Sequence, residues 1–400
     1  MDTTDRYSNL ETPCFILDEM EFRTSIQGFR EALGSHSPEN VVGYSVKTNS
    51  FPRCLEIARD MGLYAEVVSV DEYQLALRCG FSRERIIYNG PMKDRNSFLD
   101  ALTSGAIVNI ETKREIDWLK GLPAGPQPYK VGIRLNINIS GISPEDADGE
   151  NDNSRFGFSD DTDEFANAIR QIDGIPAVKI SGLHLHRTAH SRSIRFYRNL
   201  VKYAGTIIKK YSLDLDYLDL GGGYYGRFQD KPTYRNYADA FYEELETLGL
   251  GSLRLIIEPG NALVASAFSF LSSVIDVKHV EDGTWFITTD GSRNDIDPFY
   301  RKSRYLSDIL SDLSSDIVRH QIIGGCTCLE YDRLFELTDH PLLKPGDRIL
   351  YNNVGAYTMC LSPLFIRYFP RVYSVSENSI GICRAPWTAS EYLQKSILNG

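Results

Sequence analysis

From residue 41 to residue 260 the sequence repeats one rhythm: a short run rich in Val, Ile and Leu, then a stretch with apolar residues three and four apart. Eight such runs occur, Val41–Val46, Leu63–Ser69, Arg85–Asn89, Ala106–Glu111, Tyr129–Ile137, Val178–His186, Tyr217–Leu220 and Arg254–Glu258. The clearest helical segment between them is Ser193–Lys210, where Ile194, Tyr197, Leu200, Ala204 and Ile207 fall on one face. Strands apolar on both faces and separated by amphipathic helices form a parallel sheet, because each crossover helix covers one face. Eight of them predict a closed (β/α)8 barrel over residues 22–264. Past Glu258 the pattern turns to β-type runs, Phe268–Val277, a second run after the hairpin signal Asp282-Gly283, Gln321–Gly324 and Arg348–Asn352. These predict a mostly antiparallel β domain over residues 265–400, to which the strand-like segment Thr12–Asp18 adds residues 1–21.

Composition narrows the function. Lys+Arg 43 against Asp+Glu 54 gives a net charge of -11, a repulsive average field for nucleic acid. No apolar run reaches the ~20 residues of a membrane span, and the start lacks a basic n-region and an apolar h-region. A cytoplasmic protein off the membrane is expected. The seven cysteines are odd in number and scattered, which predicts reduced thiols. Only Cys326 and Cys328 lie close together, with no second pair to complete a zinc set, so no metal site is expected. The polar stretch Ser143–Ser154 is expected to be a mobile excursion after the fifth strand.

In such a barrel the chemistry sits at the C-terminal strand ends. Read off the eight runs, those ends carry Lys47, Glu66 with Ser69, Asn89, Glu111, Arg134 with Asn136, His184 with His186, Gly221 to Gly223, and Glu258 before Pro259 and Gly260. A lysine closing an apolar strand either snorkels to water or is covalently occupied, since an amine that condenses with an aldehyde wants a partly dry pocket. The glycine cluster arrives at the seventh strand rather than opening a sheet, which fits a phosphate cradle better than a dinucleotide loop; a plain sharp bend is the bland alternative. His184 and His186 share a strand face, as in metal-dependent hydrolase barrels, but here on the sixth strand, with the other histidines off the later strand ends. One imidazole stacking on a flat ring, the other packed in the core, is the simpler reading. Buried Glu258 needs a positive partner, either Arg134 or a protonated ring nitrogen.

With these residues in place, the chain resembles the fold-type III pyridoxal-phosphate decarboxylases, the family of diaminopimelate and ornithine decarboxylases, which join an alanine-racemase-like barrel to a β domain. The resemblance runs from Thr12 to Pro370. It rests on Tyr44-Ser-Val-Lys47-Thr-Asn, Asn89-Gly-Pro-Met-Lys93, Ser154-Arg-Phe-Gly-Phe158, Gly182-Leu-His-Leu-His186, Asp219-Leu-Gly-Gly-Gly223, Glu258-Pro-Gly260, Asp290-Gly-Ser-Arg-Asn-Asp295, Gly325-Cys-Thr-Cys328 and Gly355-Ala-Tyr357. It implies that pyridoxal 5'-phosphate is the cofactor and that Lys47 holds its aldehyde. By the same likeness His186 stacks on the ring, Glu258 pairs with the ring nitrogen, and Glu66 and Arg134 complete the cofactor site. It assigns the phosphate to Gly222, Gly223, Gly260 and Asn261 with the Tyr357 hydroxyl. Cys328 returns a proton to the product carbon from the partner subunit of a head-to-tail homodimer, and Arg155 pairs with Asp332 across that interface. Asp290, Asp295, Arg187 and Tyr300 are the expected substrate contacts.

The chain departs from the pattern at four places. Asn261 replaces an arginine after Glu-Pro-Gly, Ala189 replaces a phosphate-side serine, Leu329-Glu330 replaces Glu-Ser, and Asp297-Pro298 replaces a substrate-binding arginine before a proline. Meso-diaminopimelate therefore does not carry over as the substrate. The expected reaction is α-decarboxylation of an amino acid, a diamino acid or a carboxylated polyamine-like intermediate. Alternatives are an amino-acid racemase, disfavoured because racemase sites place an arginine on the ring nitrogen, a non-catalytic regulatory relative, and a metal-dependent hydrolase.

Overall fold

The computed structural model describes residues 6–147, 154–311, 315–377 and 379–397. Its contacts divide the chain into Arg23–Leu263 and a second unit made of Met1–Phe22 and Val264–Gly400. The first strand, β1 (Cys14–Asp18), belongs to the second unit. Arg23–Leu263 contains β2 (Val41–Ser45), β3 (Tyr64–Ser69), β4 (Ile86–Met92), β5 (Ile107–Ile110), β6 (Tyr129–Asn136), β7 (Phe158–Ser159), β8 (Val178–His184), β9 (Tyr217–Asp219) and β10 (Arg254–Ile257). All but β7 run parallel in one ring, closed where β10 pairs with β2 and β5 with β6. The eight-stranded barrel predicted from the repeat is present, each expected run holding one strand. The short β7 pairs β6 at the rim.

Local chemistry explains where the helices start. Ser69, Asp94, Thr112, Ser193 and Thr233 each accept a backbone N–H of the first turn, satisfying donors that have no partner inside the helix. The helix Ile194–Tyr211 buries Phe196, Tyr197, Leu200, Val201, Ala204, Ile207 and Ile208, the face its spacing predicts. Inside the ring of strands the filling is partly aromatic. The Tyr217 ring crosses the interior beside Gly182, where a Cβ would lie 2.0 Å from Tyr217 Cζ. Only glycine leaves room for that ring.

The polar excursion is not mobile at its start. Pro144–Asp146 forms a 3-10 turn, and the buried Asp146 carboxylate accepts from Ser143, Ser191 and Ser193 hydroxyls and Arg195 Nε. Those donors hold its carboxyl down to about 2, against the opposing effect of burial. Residues 148–153 of that stretch lie outside the described residues.

The second unit adds β11 (Phe268–His279), β12 (Trp285–Thr289), β13 (Leu306–Ile309), β14 (Ile317–Gly324), β15 (Arg333–Pro341), β16 (Arg348–Asn352), β17 (Arg371–Val375) and β18 (Ile380–Arg384). The sheet order is β15-β14-β12-β11-β1-β17-β18, with β16 on β11 and β13 on β16. Pairing is antiparallel except β1 with β17 and β12 with β14. Gly283, at φ +87, turns the β11–β12 hairpin where Asp282-Gly283 predicted it. Four strands, β13, β15, β17 and β18, have no counterpart among the predicted runs; β13 and β15 are half-exposed and β18 exposed, while β17 is a short run interrupted by Ser374. No described helix is long and apolar enough to cross a membrane.

Candidate active site

The rim of the barrel is built outward from its interior by a chain of side-chain hydrogen bonds. Tyr217 OH donates to Asn109 Oδ1 at 2.9 Å, and Asn109 Nδ2 donates to Asn89 Oδ1 at 2.8 Å and lies 3.4 Å from Asp219 Oδ2. Asn89 Nδ2 then reaches Glu258 Oε1 at 2.5 Å and Glu66 Oε1 at 3.3 Å. Glu66 Oε2 accepts from Ser45 Oγ at 2.7 Å and Lys47 Nζ at 2.5 Å. The run passes from a phenol through two amides and ends on the Glu258 and Glu66 carboxylates, so Asn89 and Asn109 are fixed in orientation by the groups on either side. The sequence reading missed Asn109 and Tyr217. Their signal is a polar atom at an inward position of an otherwise apolar strand.

Lys47 sits in the 3-10 turn Val46–Thr48 just past β2, and its side chain is 29% exposed while Glu66 is 1% exposed. The amine is therefore paired with a buried carboxylate while its side chain stays partly exposed. Arg134 does not pair with Glu258. Its Nη1 donates to Glu111 at 2.9 Å and its Nη2 to the His186 carbonyl at 3.3 Å.

His184 ends β8, and His186 lies two residues beyond, their ring centroids 6.2 Å apart. Burial, reinforced by Arg134, holds His184 well below the ordinary imidazole range; burial and the Lys47 charge do the same for His186. Both rings are neutral at pH 7. The Gly222 N–H donates to His186 Nδ1 at 2.9 Å, which places that ring's proton on Nε2. Gly222 was expected to give this N–H to a phosphate; the structure spends it on the histidine. Its lack of a side chain still matters, because a Cβ there would lie 2.4 Å from the Glu258 carbonyl, and one on Gly221, at φ +62, would lie 2.2 Å from His186 Nδ1. The Gly221 carbonyl accepts the Glu258 N–H at 2.7 Å, so the glycine run docks against both His186 and the end of β10. Asn261 opens the short helix Asn261–Val264 after Gly260. Arg187 is half-buried beside His186, and Arg155 is exposed, its guanidinium 4.3 Å from the Phe156 ring centroid.

The residues expected from the β unit are placed there as follows. Cys328 is exposed, and Tyr357 is 41% exposed with φ 55. Asp332 is 3% exposed and accepts from Ser292 Oγ at 2.9 Å, the Arg293 N–H at 2.8 Å, Thr327 Oγ1 at 2.6 Å and the Thr327 N–H at 3.2 Å. Three of these donors meet at Oδ2 and one at Oδ1, so Asp332 fastens its own loop to the turn at Ser292 and Arg293 and keeps acceptor capacity on Oδ1. Asp290 is held by two donors: Thr12 Oγ1 donates to it at 2.6 Å and the Ser273 N–H at 2.8 Å, which ties the segment before β1 to β11. Asp295 caps a short turn by accepting the Ser292 N–H at 3.0 Å, and Tyr300 OH donates to Asn294 Oδ1 at 2.9 Å. Asp297, which stands where relatives keep an arginine, accepts from Arg293, Lys302, Arg301 and Tyr305.

Comparison with known proteins agrees with this fold. The family model described as pyridoxal-dependent decarboxylase, pyridoxal binding domain, matches residues 20–265. A probable chloroplastic diaminopimelate decarboxylase of Oryza sativa is 26% identical over 399 residues, covering 96% of this chain and 79% of its own. Among solved structures, diaminopimelate decarboxylase of M. jannaschii gives a TM-score of 0.85 at 21% identity, over 99% of this chain and 94% of that one. Arginine decarboxylase of Paramecium bursaria Chlorella virus gives 0.76 at 20% identity, over 92% and 96%. The two solved structures share the architecture.

Proposed function

The chain belongs to the pyridoxal-dependent decarboxylase family, and from that premise we propose that it removes the α-carboxylate of an amino acid whose far end carries a second basic nitrogen, using Lys47, His186 and Glu258 around pyridoxal phosphate. The observation that carries this reading is the rim itself: a part-exposed amine ion-paired to Glu66, a neutral flat imidazole, and a buried carboxylate, each at or just past a C-terminal strand end. The donor set fits the cofactor. Positions 221 and 222 are glycines at which a Cβ would collide with the rim, which keeps the backbone within reach of a phosphate, and Gly223, Gly260 and Asn261 carry main-chain N–H groups at the same end of the barrel. Tyr357 of the β unit is the proposed hydroxyl contact.

Pyridoxal phosphate supplies an electron sink for the bond broken at the substrate Cα. The protein's residues do the rest. Glu66 Oε2 holds a proton of Lys47 Nζ and can keep it while the amine is exchanged. His186, with its proton fixed on Nε2, covers one ring face without adding charge. Glu258 would hold the ring nitrogen's proton in place, the role that sets this proposed rim apart from that of a racemase. Cys328 is the proposed donor to the product carbon, from the second subunit of a homodimer. The β unit's exposed Tyr331, Leu361, Phe365, Ile366 and Trp387 support an apolar contact with such a second copy. All seven cysteines are free, which supports a reducing, cytoplasmic setting. The names of the relatives, diaminopimelate and arginine decarboxylase, support a substrate with a distal nitrogen.

The test is carbon dioxide release from L- and D-ornithine, lysine, arginine, diaminopimelate and carboxyalkyl polyamines. Alongside it, borohydride should fix the cofactor on Lys47, seen by peptide mass. Release from one of these, lost in Lys47→Ala, is expected. Silence from all of them, or fixation elsewhere, would remove the proposal.

A further inference from the structure

Glu258 does not stand alone under the cofactor. One ligand-type atom each from His184, Asp219 and Glu258 lies within 4.8 Å of the others, and all three residues are buried. Asp219 is 0% exposed and Glu258 2%. The Gly221 N–H donates to Asp219 Oδ1 at 2.9 Å, while Asn89 donates to Glu258 Oε1. His184 Nε2 is 3.6 Å from Glu258 Oε2, and neither His184 nitrogen has a hydrogen-bond partner.

Count the charges at this rim. Lys47 faces Glu66, Arg134 faces Glu111, and on the reading above the ring nitrogen faces Glu258. His184, His186, Tyr217, Asn89 and Asn109 complete the surroundings and bring no further charge. Among these described rim residues, Asp219 is a carboxyl without a counter-charge, buried beside another carboxylate. Two such groups share a dry site only when one carries a proton.

We propose that Asp219 stands as a carboxylic acid that donates its proton to Glu258, acting as a positioning residue that leaves Glu258 a single negative charge aimed at the ring nitrogen. The pair shares one proton: Asp219 Oδ1 is spent on Gly221, and the acid O–H holds Glu258 from one side as Asn89 does from another. Burial first, then the Glu258 charge, push the Asp219 carboxyl well above the ordinary range, in keeping with this geometry. The inference rests on Glu258 being the partner of the ring nitrogen, and it extends that reading to a group that touches neither cofactor nor substrate.

The experiment uses the cofactor-loaded enzyme. Infrared spectra taken at mildly alkaline pH exclude Asp295 and Glu72, whose carboxyls burial lifts only to about 6 and about 7. A protonated-carboxyl band that shifts in heavy water should be present, and it should vanish in Asp219→Asn. Because the amide keeps both an acceptor for Gly221 and a donor for Glu258, the pH titration of the cofactor's visible band in Asp219→Asn should overlay the wild type. Absence of the infrared band in the wild-type enzyme overturns the inference without any variant; so does a visible titration displaced by a full pH unit in Asp219→Asn. Glu258→Gln separates the two claims. If it leaves the visible titration untouched, the ring-nitrogen reading is what fails, whatever the infrared band shows.

Discussion

Glu258 at the end of β10 and Asp332 between β14 and β15 are buried to the same degree, 2% and 3% exposed, yet they are opposites in coordination. Asp332 has four donors, two of them main-chain N–H groups, and so ties its own loop to the turn at Ser292 and Arg293. Glu258 has one close amide donor, a carboxyl neighbour and an imidazole whose nitrogens are unpartnered. A buried carboxylate held by donors from two loops is a structural fastener. One with a single close amide donor is held ready for a group that arrives later. The barrel rim as a whole is of the second kind, and the β-unit loop around Asp332 and Asp297 of the first.

That difference is breakable by exchange of the two acids. In Glu258→Gln, the amide oxygen can still accept from Asn89, and the new Nε2 finds a bare acceptor in His184 Nε2. The fold should hardly notice, with Tm moved by less than about 3 °C. Turnover should fall by about 10²- to 10³-fold, since a preorganised charge opposite the developing electron sink is lost. Steady-state carbon dioxide release and a thermal melt on the same sample make the check. A collapse of Tm with modest kinetic loss would place Glu258 among the fasteners.

Asp332→Ala should do the reverse. Removing the carboxylate orphans two N–H groups and two hydroxyls in a buried loop, a cost of about 3 kcal/mol. Urea unfolding monitored on the β unit should report it, and Asp332→Asn, which retains an acceptor, should recover part of the loss. If the alanine variant instead keeps its stability and loses turnover or dimer, the loop is not the self-contained structure its hydrogen bonds describe.

The same contrast explains what was legible from sequence alone. The barrel was, because its apolar runs are continuous and its rim residues sit at strand ends by construction; Lys47, His184, Asn89 and Glu258 all fall where the count of strands puts them. The hydrogen bonds among them were not, since Asn109 and Tyr217 look like isolated polar residues until the ring of strands closes. The sequence equally hid that Arg134 pairs with Glu111 rather than Glu258, a choice made between neighbouring strands. In the β unit, Asp290 and Asp332 stood out through the resemblance alone, which gave no sign of the hydrogen bonds that hold them. Their actual partners, Thr12, Ser273, Ser292 and Thr327, are hydroxyls and main-chain groups distant in sequence or interchangeable in type, and no spacing rule singles them out. The start of the Ser143–Ser154 stretch was misjudged for the same reason, as Asp146 collects serines from a loop 45 and 47 residues away.

Asp295 lies between the two classes and sharpens the distinction with the smallest effect. It is 9% exposed and has a main-chain donor at Ser292, so it is neither filled nor aimed at an incoming charge. Burial lifts its carboxyl to about 6, with the Arg367 charge pulling the other way. Because the folded value is above the unfolded one, protonation favours the folded state. The contribution is therefore complete at pH below the unfolded value, near 3.8, and is lost as pH rises through about 6. At about 1.4 kcal/mol per unit, the loss is on the order of 1–2 kcal/mol after allowance for solvent. Asp295→Asn cannot ionise, so the wild-type minus variant difference in unfolding free energy should slope across that window and flatten on either side. Subtracting the two curves cancels Glu72, which titrates nearby but is present in both. If Asp295 only caps its turn, KM and kcat at neutral pH should match the wild type. A KM raised about tenfold with the slope absent would instead return Asp295 to the substrate, as its place in the Asp290–Asp295 motif first implied, and would move this part of the loop to the side of the barrel rim.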